Sequence, residues 1–232
     1  MPSPKSSPFI VAEALPDVLD PGATALRAGP AAPAPSVARA IARSLLPPEA
    51  DVDPPEWLLT SQHQPYRRVI HAISRHGGAL LAQPVGSGKT WVALAIARHV
   101  NADAVTTVLA PATLLAHWRR TASALAVPVE VISHARPSGG ALPTDPGMAI
   151  IDESHHFRNP STRRYATVAP WLVGRRALLL TATPVVNRLD DLAAQLRLTI
   201  RDDALAASGI GSLSLLLATG RGHPALSDLV IA

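Results

Sequence analysis

Residues 78–99 read GALLAQPVGSGKTWVALAIARH, which is a short apolar run, a loop with two glycines and an alanine-rich helical stretch. A phosphate-binding loop occurs in this order of strand, loop and helix. Gly86 and Gly88 can adopt backbone angles closed to other residues, so successive N–H groups can turn inward at the positive start of a helix. The stretch therefore predicts a site for the phosphates of ATP.

The side chains of this loop fit the same chemistry. Lys89 would reach the β and γ phosphates, and Thr90 would offer its hydroxyl to Mg²⁺. Lys89 is also one of only two lysines in the chain, the other being Lys5. Gln83 stands where the strict motif has its first glycine, which leaves a plain glycine turn before a helix as the alternative. The predicted nucleotide-binding residues of the loop are Gly86, Ser87, Gly88, Lys89 and Thr90.

Two adjacent acids follow a second apolar run. Residues 148–151, MAII, are followed by Asp152 and Glu153, and open parallel sheets bind ligands at the carboxyl ends of their strands. Asp152 would hold Mg²⁺, and Glu153 would orient and deprotonate the attacking water, with Lys89 as the third catalytic residue. An isolated Asp-Glu pair is more often an ordinary helix start. The preceding strand favours the catalytic interpretation.

A third run, ALLL, ends in TATP at 181–184. Thr181, Ala182 and Thr183 are small residues at a strand end, and we expect them to couple the nucleotide site to an opposing surface. Alone, this segment would be only the exit of a strand. The three strand ends together, in the order loop, Asp-Glu and Thr-Ala-Thr, leave little room for a purely structural explanation.

Apolar runs alternate with helical periodicity from Trp57 onward, which predicts an α/β fold with a mainly parallel sheet covered by helices. The predicted strands are 79–82, 104–110, 129–133, 148–152 and 177–181. The predicted helices are 62–75, 89–99, 112–125, 161–172 and 189–196.

Composition bounds the remaining possibilities. The chain has 232 residues, no cysteine and a net charge of +4, so disulfides and thiolate metal sites are excluded. No apolar run reaches the ~18 residues that span a bilayer, and the N-terminus lacks a signal-like pattern. We therefore predict no membrane partner and a cytoplasmic location.

The motifs resemble those of superfamily II helicases, and within them the Swi/Snf-like DNA translocases. The resemblance implies a RecA-like P-loop NTPase lobe. Residues 1–55 are rich in Pro, Ala and Ser, a composition that buries too little apolar area to offset chain entropy, so we expect a flexible Pro/Ala-rich arm before the lobe. The matching stretches are AQPVGSGKT at 82–90, VLAPATLLAHWRR at 108–120, IIDESHHFRNP at 150–160 and LLLTATPVVNRLDDL at 178–192.

The resemblance also implies ligand contacts. Gln64, about one helix before the loop, would read the adenine edge. The second motif would lie along a nucleic acid, most simply duplex DNA, although Arg119 and Arg120 could equally belong to a solvated helix face. The predicted nucleic-acid residues are Pro111, Ala112, Thr113, Arg119 and Arg120.

The sequence divides into an arm at 1–55, an ATP-binding lobe at 56–200, and a tail at 201–232 that is helical or begins a linker. We find no motif of a second RecA-like lobe, so we expect a second chain or the rest of a longer gene to supply one. An isolated lobe would bind ATP but hydrolyse it slowly, because an arginine finger raises the rate of such enzymes by a factor of about 10³ to 10⁵. The alternatives are an ATP-dependent switch that recruits a partner without motor activity, and a non-functional gene fragment.

Overall fold

The strands of the described residues form one six-stranded sheet in which every pairing is parallel. The computed structural model describes residues 48–102, 104–136, 142–144, 147–184, 189–219 and 223–232, which belong to one compact unit, Leu46–Ala232. The strands are β1 Gly78–Ala82, β2 Thr106–Ala110, β3 Val129–Ser133, β4 Ala149–Ile151, β5 Ala177–Thr181 and β6 Val230–Ile231. They lie in the order β3-β2-β4-β5-β1-β6.

Helices cover both faces of this sheet. They are α1 Thr60–His76, α2 Lys89–Asn101, α3 Leu115–Ala124, α4 Arg163–Leu172, α5 Leu189–Leu196 and α6 Leu213–Ala218. Along β1, Leu81 packs on the side of α1, α2 and α3, whereas Leu80 packs on the side of α4, α5 and α6. Because both faces are buried, β1 and β4 carry no polar side chain and β5 has only Thr181, at its carboxyl end, as is typical of parallel sheets.

The predicted α/β fold is confirmed. The bounds of β3, β5 and α5 are those predicted from the sequence, and the other predicted elements differ by a few residues at their ends. The stretch predicted as one helix at 112–125 begins instead with a short 3₁₀ turn, Ala112–Leu114, before α3.

The chain after residue 200 returns to the sheet. The predicted helical tail does contain α6, but its last strand, β6, pairs in parallel with Leu80 and Leu81 of β1. Leu229 and Ile231 are buried there. A strand of two residues has no measurable sequence periodicity, which is why the sequence did not reveal it.

The predicted boundary at residue 55 falls within a segment that packs on α1. The Arg67 Nε donates to the carbonyl of Val52 at 3.0 Å, and the amide of Ala50 donates to the carbonyl of Arg67 at 3.1 Å. Residues 1–47 of the predicted arm lie outside the described residues. Over the part of the chain that is described, no helix combines the length and apolarity needed to cross a membrane.

Candidate functional site

The loops that follow β1, β4 and β5 meet at one edge of the sheet. The register pairs Ala82 with Thr181, and Ile151 with Leu179, so the carboxyl ends of the three strands are neighbours. This parallel register brings the phosphate loop, the Asp-Glu pair and the Thr-Ala-Thr segment together, as the sequence predicted.

The phosphate loop has the backbone that an anion cradle needs. Gly86 and Gly88 have φ angles of 84° and 81°, in the left-handed region that favours glycine. Gly88 is the N-cap of α2, so the first N–H groups of that helix, which have no acceptor within the helix, face the loop. A side chain at residue 88 would also collide with the Nε2 of Gln62.

The ammonium group of Lys89 is held inside this loop. Its Nζ donates to the carbonyl oxygens of Gln83 at 2.7 Å and Pro84 at 2.9 Å. Burial lowers the Lys89 pKa, while the charges of Glu153 and Asp152 raise it. Phosphate oxygens could replace the two carbonyls as acceptors, so the loop fits the triphosphate group of a nucleotide.

Asp152 is a buried carboxylate with two fixed donors. Its Oδ2 accepts from the indole Nε1 of Trp118 at 2.8 Å, and its Oδ1 accepts from the amide of Glu153 at 2.9 Å. Burial raises the Asp152 pKa. The hydrogen bond from Trp118 lowers it, and the negative charge of the Glu153 side chain raises it. A divalent cation would relieve the cost of this buried charge, so the donor set fits Mg²⁺. Trp118 had no role in the sequence analysis because a tryptophan in an amphipathic helix usually indicates only core packing.

His155 connects the acid pair to the end of β5. Its Nδ1 lies 3.2 Å from the Oε2 of Glu153 and 3.2 Å from the hydroxyl of Thr181. Thr181 in turn accepts from the amide of Thr183 at 3.0 Å. Glu153 itself has a φ of 48°, an uncommon conformation for a residue with a side chain. The predicted coupling segment therefore contacts the acid pair through a histidine that the sequence analysis left without a function.

A second connection runs through two buried polar side chains. The hydroxyl of Ser154 donates to the Oε1 of Gln195 at 2.8 Å, and the Nε2 of Gln195 donates to the carbonyls of Pro184 at 2.8 Å and Asp191 at 2.9 Å. Both side chains are fully buried. This network joins the acid loop to α5 and to the exit of TATP, and nothing in the sequence marked Gln195. Residues 185–188 of that motif lie outside the described residues.

A cavity of about 370 Å³ lies beside the phosphate loop. Its walls include Trp57 and Trp91, whose ring centroids are 6.0 Å apart. Gln62 closes it towards the loop, because its Nε2 donates to the carbonyl of Ser87 at 3.0 Å. The sequence signal for these residues was weak, since isolated tryptophans and glutamines are common on surfaces.

Gln64, the predicted adenine contact, is exposed and does not line this cavity. The structure brings Gln62 to the phosphate loop instead. Residues two apart on a helix differ by about 200° in direction, so Gln62 and Gln64 cannot face the same site. The adenine contact of Gln64 therefore stays a prediction, and Gln62 is the glutamine that contacts the phosphate loop.

Of the predicted nucleic-acid residues, Pro111, Ala112 and Thr113 directly follow β2 at the same edge of the sheet, whereas Arg119 and Arg120 lie in the second turn of α3. Pro111 is half-buried, whereas Ala112, Thr113 and Arg120 are exposed. The Nη2 of Arg119 donates to the carbonyl of Val131 at 2.9 Å, so this arginine also anchors α3 to β3.

Several known proteins are similar in sequence to parts of this chain. The SNF2-related domain family matches residues 143–207, which contain the acid pair and the Thr-Ala-Thr segment. The chain is 30% identical over 174 residues to the SWI/SNF-related matrix-associated actin-dependent regulator of chromatin subfamily A-like protein 1 of Xenopus tropicalis, covering 64% of this chain and 18% of that protein. It is 30% identical over 159 residues to the uncharacterized ATP-dependent helicase YqhH of Bacillus subtilis, covering 58% and 28%.

Solved structures agree on the fold. The Sulfolobus solfataricus SWI2/SNF2 ATPase core domain superposes with a TM-score of 0.56 at 17% identity, covering 80% of this chain and 47% of that chain. The same core in complex with dsDNA gives a TM-score of 0.51 at 20% identity, covering 67% and 37%.

The sheet order and the loops at its carboxyl edge define a RecA-like P-loop lobe of the α/β class. Over the matched residues the chain is similar to the Swi/Snf-like proteins of helicase superfamily II. It spans about a fifth of the length of the first curated relatives that it matches.

His134, at the end of β3, makes stability depend on pH. Its side chain is buried against the rings of Phe157 and His156, at centroid distances of 5.2 and 5.5 Å. Burial, with the charges of His156 and Arg164, lowers the His134 pKa from 6.5 to about 4. Between pH 6.5 and about 4, the His134 imidazole is therefore protonated in the unfolded chain but neutral in the folded chain.

We expect the free energy of unfolding to be highest above pH 6.5 and to fall by about 3 kcal/mol for His134 alone as the pH drops towards 4. Urea unfolding between pH 7.5 and 4.5 measures this. His134→Gln should flatten the profile, leaving the smaller contributions of His76 and His156, whose pKa values burial also lowers. His117→Gln, at an exposed histidine of α3, is the matched control, and an equal flattening there would contradict the assignment.

Proposed function

We propose that this chain is the ATP-binding lobe of a nucleic-acid-dependent ATPase that translocates on DNA. The observation that carries the proposal is the meeting of Lys89, Asp152 and Glu153 at one edge of the sheet, where both carboxylates act on the pKa of the lysine. A phosphate loop needs this arrangement of a cation and two acids to bind ATP with Mg²⁺ and to hydrolyse it. The similarity to the SNF2-related domain over residues 143–207 and to an ATP-dependent helicase of Bacillus subtilis supports it.

Each residue of the site then has a definite task. The backbone of Gly86, Ser87 and Gly88 would hold the phosphates, and Lys89 would neutralise the β and γ phosphates. Thr90 and Asp152 would hold Mg²⁺, which supplies positive charge to the phosphate oxygens. Glu153 would accept the proton of the attacking water. His155 would orient the carboxylate of Glu153, since its Nδ1 lies 3.2 Å from it.

The nucleotide base would occupy the cavity between the phosphate loop and α1. The indole rings of Trp57 and Trp91 offer apolar contact there, and Gln62 offers a polar one. This arrangement is typical of small-molecule sites, which combine a mostly apolar wall with few polar groups.

Coupling to a substrate would run through the two connections between the acid loop and the TATP exit. His155 touches Thr181, and Ser154 reaches Pro184 through Gln195. A change at the γ phosphate that moved Glu153 would therefore act on residues 181–184. Ala182 and Thr183 would transmit that change to an opposing surface. We expect that surface to belong to a second RecA-like lobe, encoded by this gene or by another.

Duplex DNA is the proposed substrate. A solved relative, the Sulfolobus solfataricus SWI2/SNF2 ATPase core, is in complex with dsDNA. In this chain Ala112 and Thr113 are exposed directly after β2, and Arg120 is exposed on α3, where backbone phosphates could be contacted.

The cytoplasmic location stays a prediction.

Lys89→Ala should lower the affinity for Mg·ATP by about tenfold to a hundredfold, because a charged donor to the phosphates is lost. Glu153→Gln should keep the nucleotide bound and abolish any turnover. Titration with a fluorescent ATP analogue and a phosphate-release assay measure the two effects. Lys5→Ala, at the other lysine, is the control, and unchanged affinity in Lys89→Ala would refute the site.

Gln62→Ala should weaken ATP binding about fivefold, because a hydrogen bond that positions the phosphate loop is worth about 1 kcal/mol. Gln64→Ala should leave the affinity unchanged, since that side chain is exposed away from the cavity. Isothermal titration with ATP compares them. The reverse result would support Gln64 as the adenine contact and would exclude the cavity as the site of the nucleotide base.

Affinity for duplex DNA should fall with salt, with a slope in log–log form of about −0.9 for each phosphate contacted. Arg120→Ala should reduce that slope by about one unit, because one phosphate contact is lost. Fluorescence anisotropy at several NaCl concentrations measures it. Arg98→Ala, at an exposed arginine of α2, should leave the slope unchanged, and salt-independent binding would contradict a DNA track.

A further inference from the structure

A second cavity, of about 450 Å³, lies at the amino-terminal edge of the sheet. It is bounded by Gly77 before β1, by residues 172–176 before β5, and by residues 197–201 after α5. The phosphate loop follows the opposite ends of the same strands, so this cavity has no part in the nucleotide site.

Its lining is cationic. The described residues that line it include four arginines, Arg175, Arg176, Arg197 and Arg201, and no Asp or Glu. The acids nearby offset only part of this charge. Asp203 pairs with Arg201 at 2.8 Å, and Asp202 lies near Arg197 but is held mainly by Ser214. A positive excess therefore remains around the cavity.

The arginines are oriented by backbone and hydroxyl groups. Arg176 donates through Nη1 to the carbonyl of Val100 at 3.1 Å, and Arg197 donates through Nε to the hydroxyl of Ser214 at 3.0 Å. Each contact uses one of the five N–H groups of a guanidinium. The group is thereby positioned while further N–H groups can meet a carboxylate or phosphate.

The remaining wall is aliphatic. Leu172, Leu198 and Ile200 are buried and form its floor, and Val173 at the rim is 80% exposed. None of the described lining residues is Phe, Tyr or Trp. Proteins that bind single-stranded nucleic acids stack the bases on aromatic rings, whereas an aliphatic floor suits the side chain of a hydrophobic amino acid. The lining thus favours a peptide over a nucleic acid.

We infer that this cavity binds an acidic peptide segment of a partner protein. An apolar side chain of the segment occupies the aliphatic floor, and neighbouring carboxylates pair with Arg176 and Arg197. Such a site would let a partner dock on this lobe without covering the nucleotide edge.

Selection of a random phage-displayed peptide library on the whole chain tests this. Peptides that combine Glu or Asp with a large apolar residue should be enriched, and a synthetic copy should bind the Arg176→Glu/Arg197→Glu double variant at least about tenfold more weakly. Both arginines are exposed, and equal thermal unfolding of the variant and the wild type confirms that the fold is kept. Arg163→Glu, at an exposed arginine of α4 outside this cavity, should stay within about twofold.

The peptide should bind Lys89→Ala as well as it binds the wild type, so loss of the nucleotide site and loss of this site are separate results. Absence of acidic peptides from the selection, or equal affinity for the double variant, would overturn the inference. Competition by a short oligodeoxythymidylate that the double variant abolishes would also overturn it, because the occupant would then be a nucleic acid.

Discussion

The parallel pairing of β1 with β5 is the constraint on which the site depends. Five successive pairs, from Gly78 with Ala177 to Ala82 with Thr181, fix where the two strands end relative to each other. A slip of one residue would turn Leu80 and Leu81 to the wrong faces, and both faces are buried. Packing of the two cores therefore also sets the position of the phosphate loop beside the Thr-Ala-Thr segment.

The site contains two partly buried charged groups, Asp152 and Lys89, whose loss of hydration the lobe alone compensates only in part. Burial raises the pKa of Asp152 and lowers that of Lys89, so each group is held against its preference for water. Trp118 and the amide of Glu153 stabilise the carboxylate, and the carbonyls of the loop stabilise the ammonium. A bound nucleotide with its cation would relieve both, which gives the site a physical reason to bind one.

The two edges of the sheet carry different chemistry. The carboxyl edge combines acids, a lysine and backbone N–H groups suited to a nucleotide, whereas the amino-terminal edge carries arginines around an aliphatic cavity. Because α2 and α4 each span the sheet from one edge to the other, the two sites are held apart by rigid elements. A ligand at one edge could leave the other open.

The features that depend on residues close in the chain could be predicted from the sequence alone. The phosphate loop, the acids after β4 and the alternation of strands and helices are local patterns, and the described fold agrees with them. Contacts between distant residues could not be predicted in this way: Trp118 and Asp152 are 34 residues apart in the chain, and Ser154 and Gln195 are 41 residues apart. The contact of Gln62 with the phosphate loop, the strand β6 and the arginine cavity are further examples. Their positions follow from strand register and helix rotation, which local periodicity does not encode.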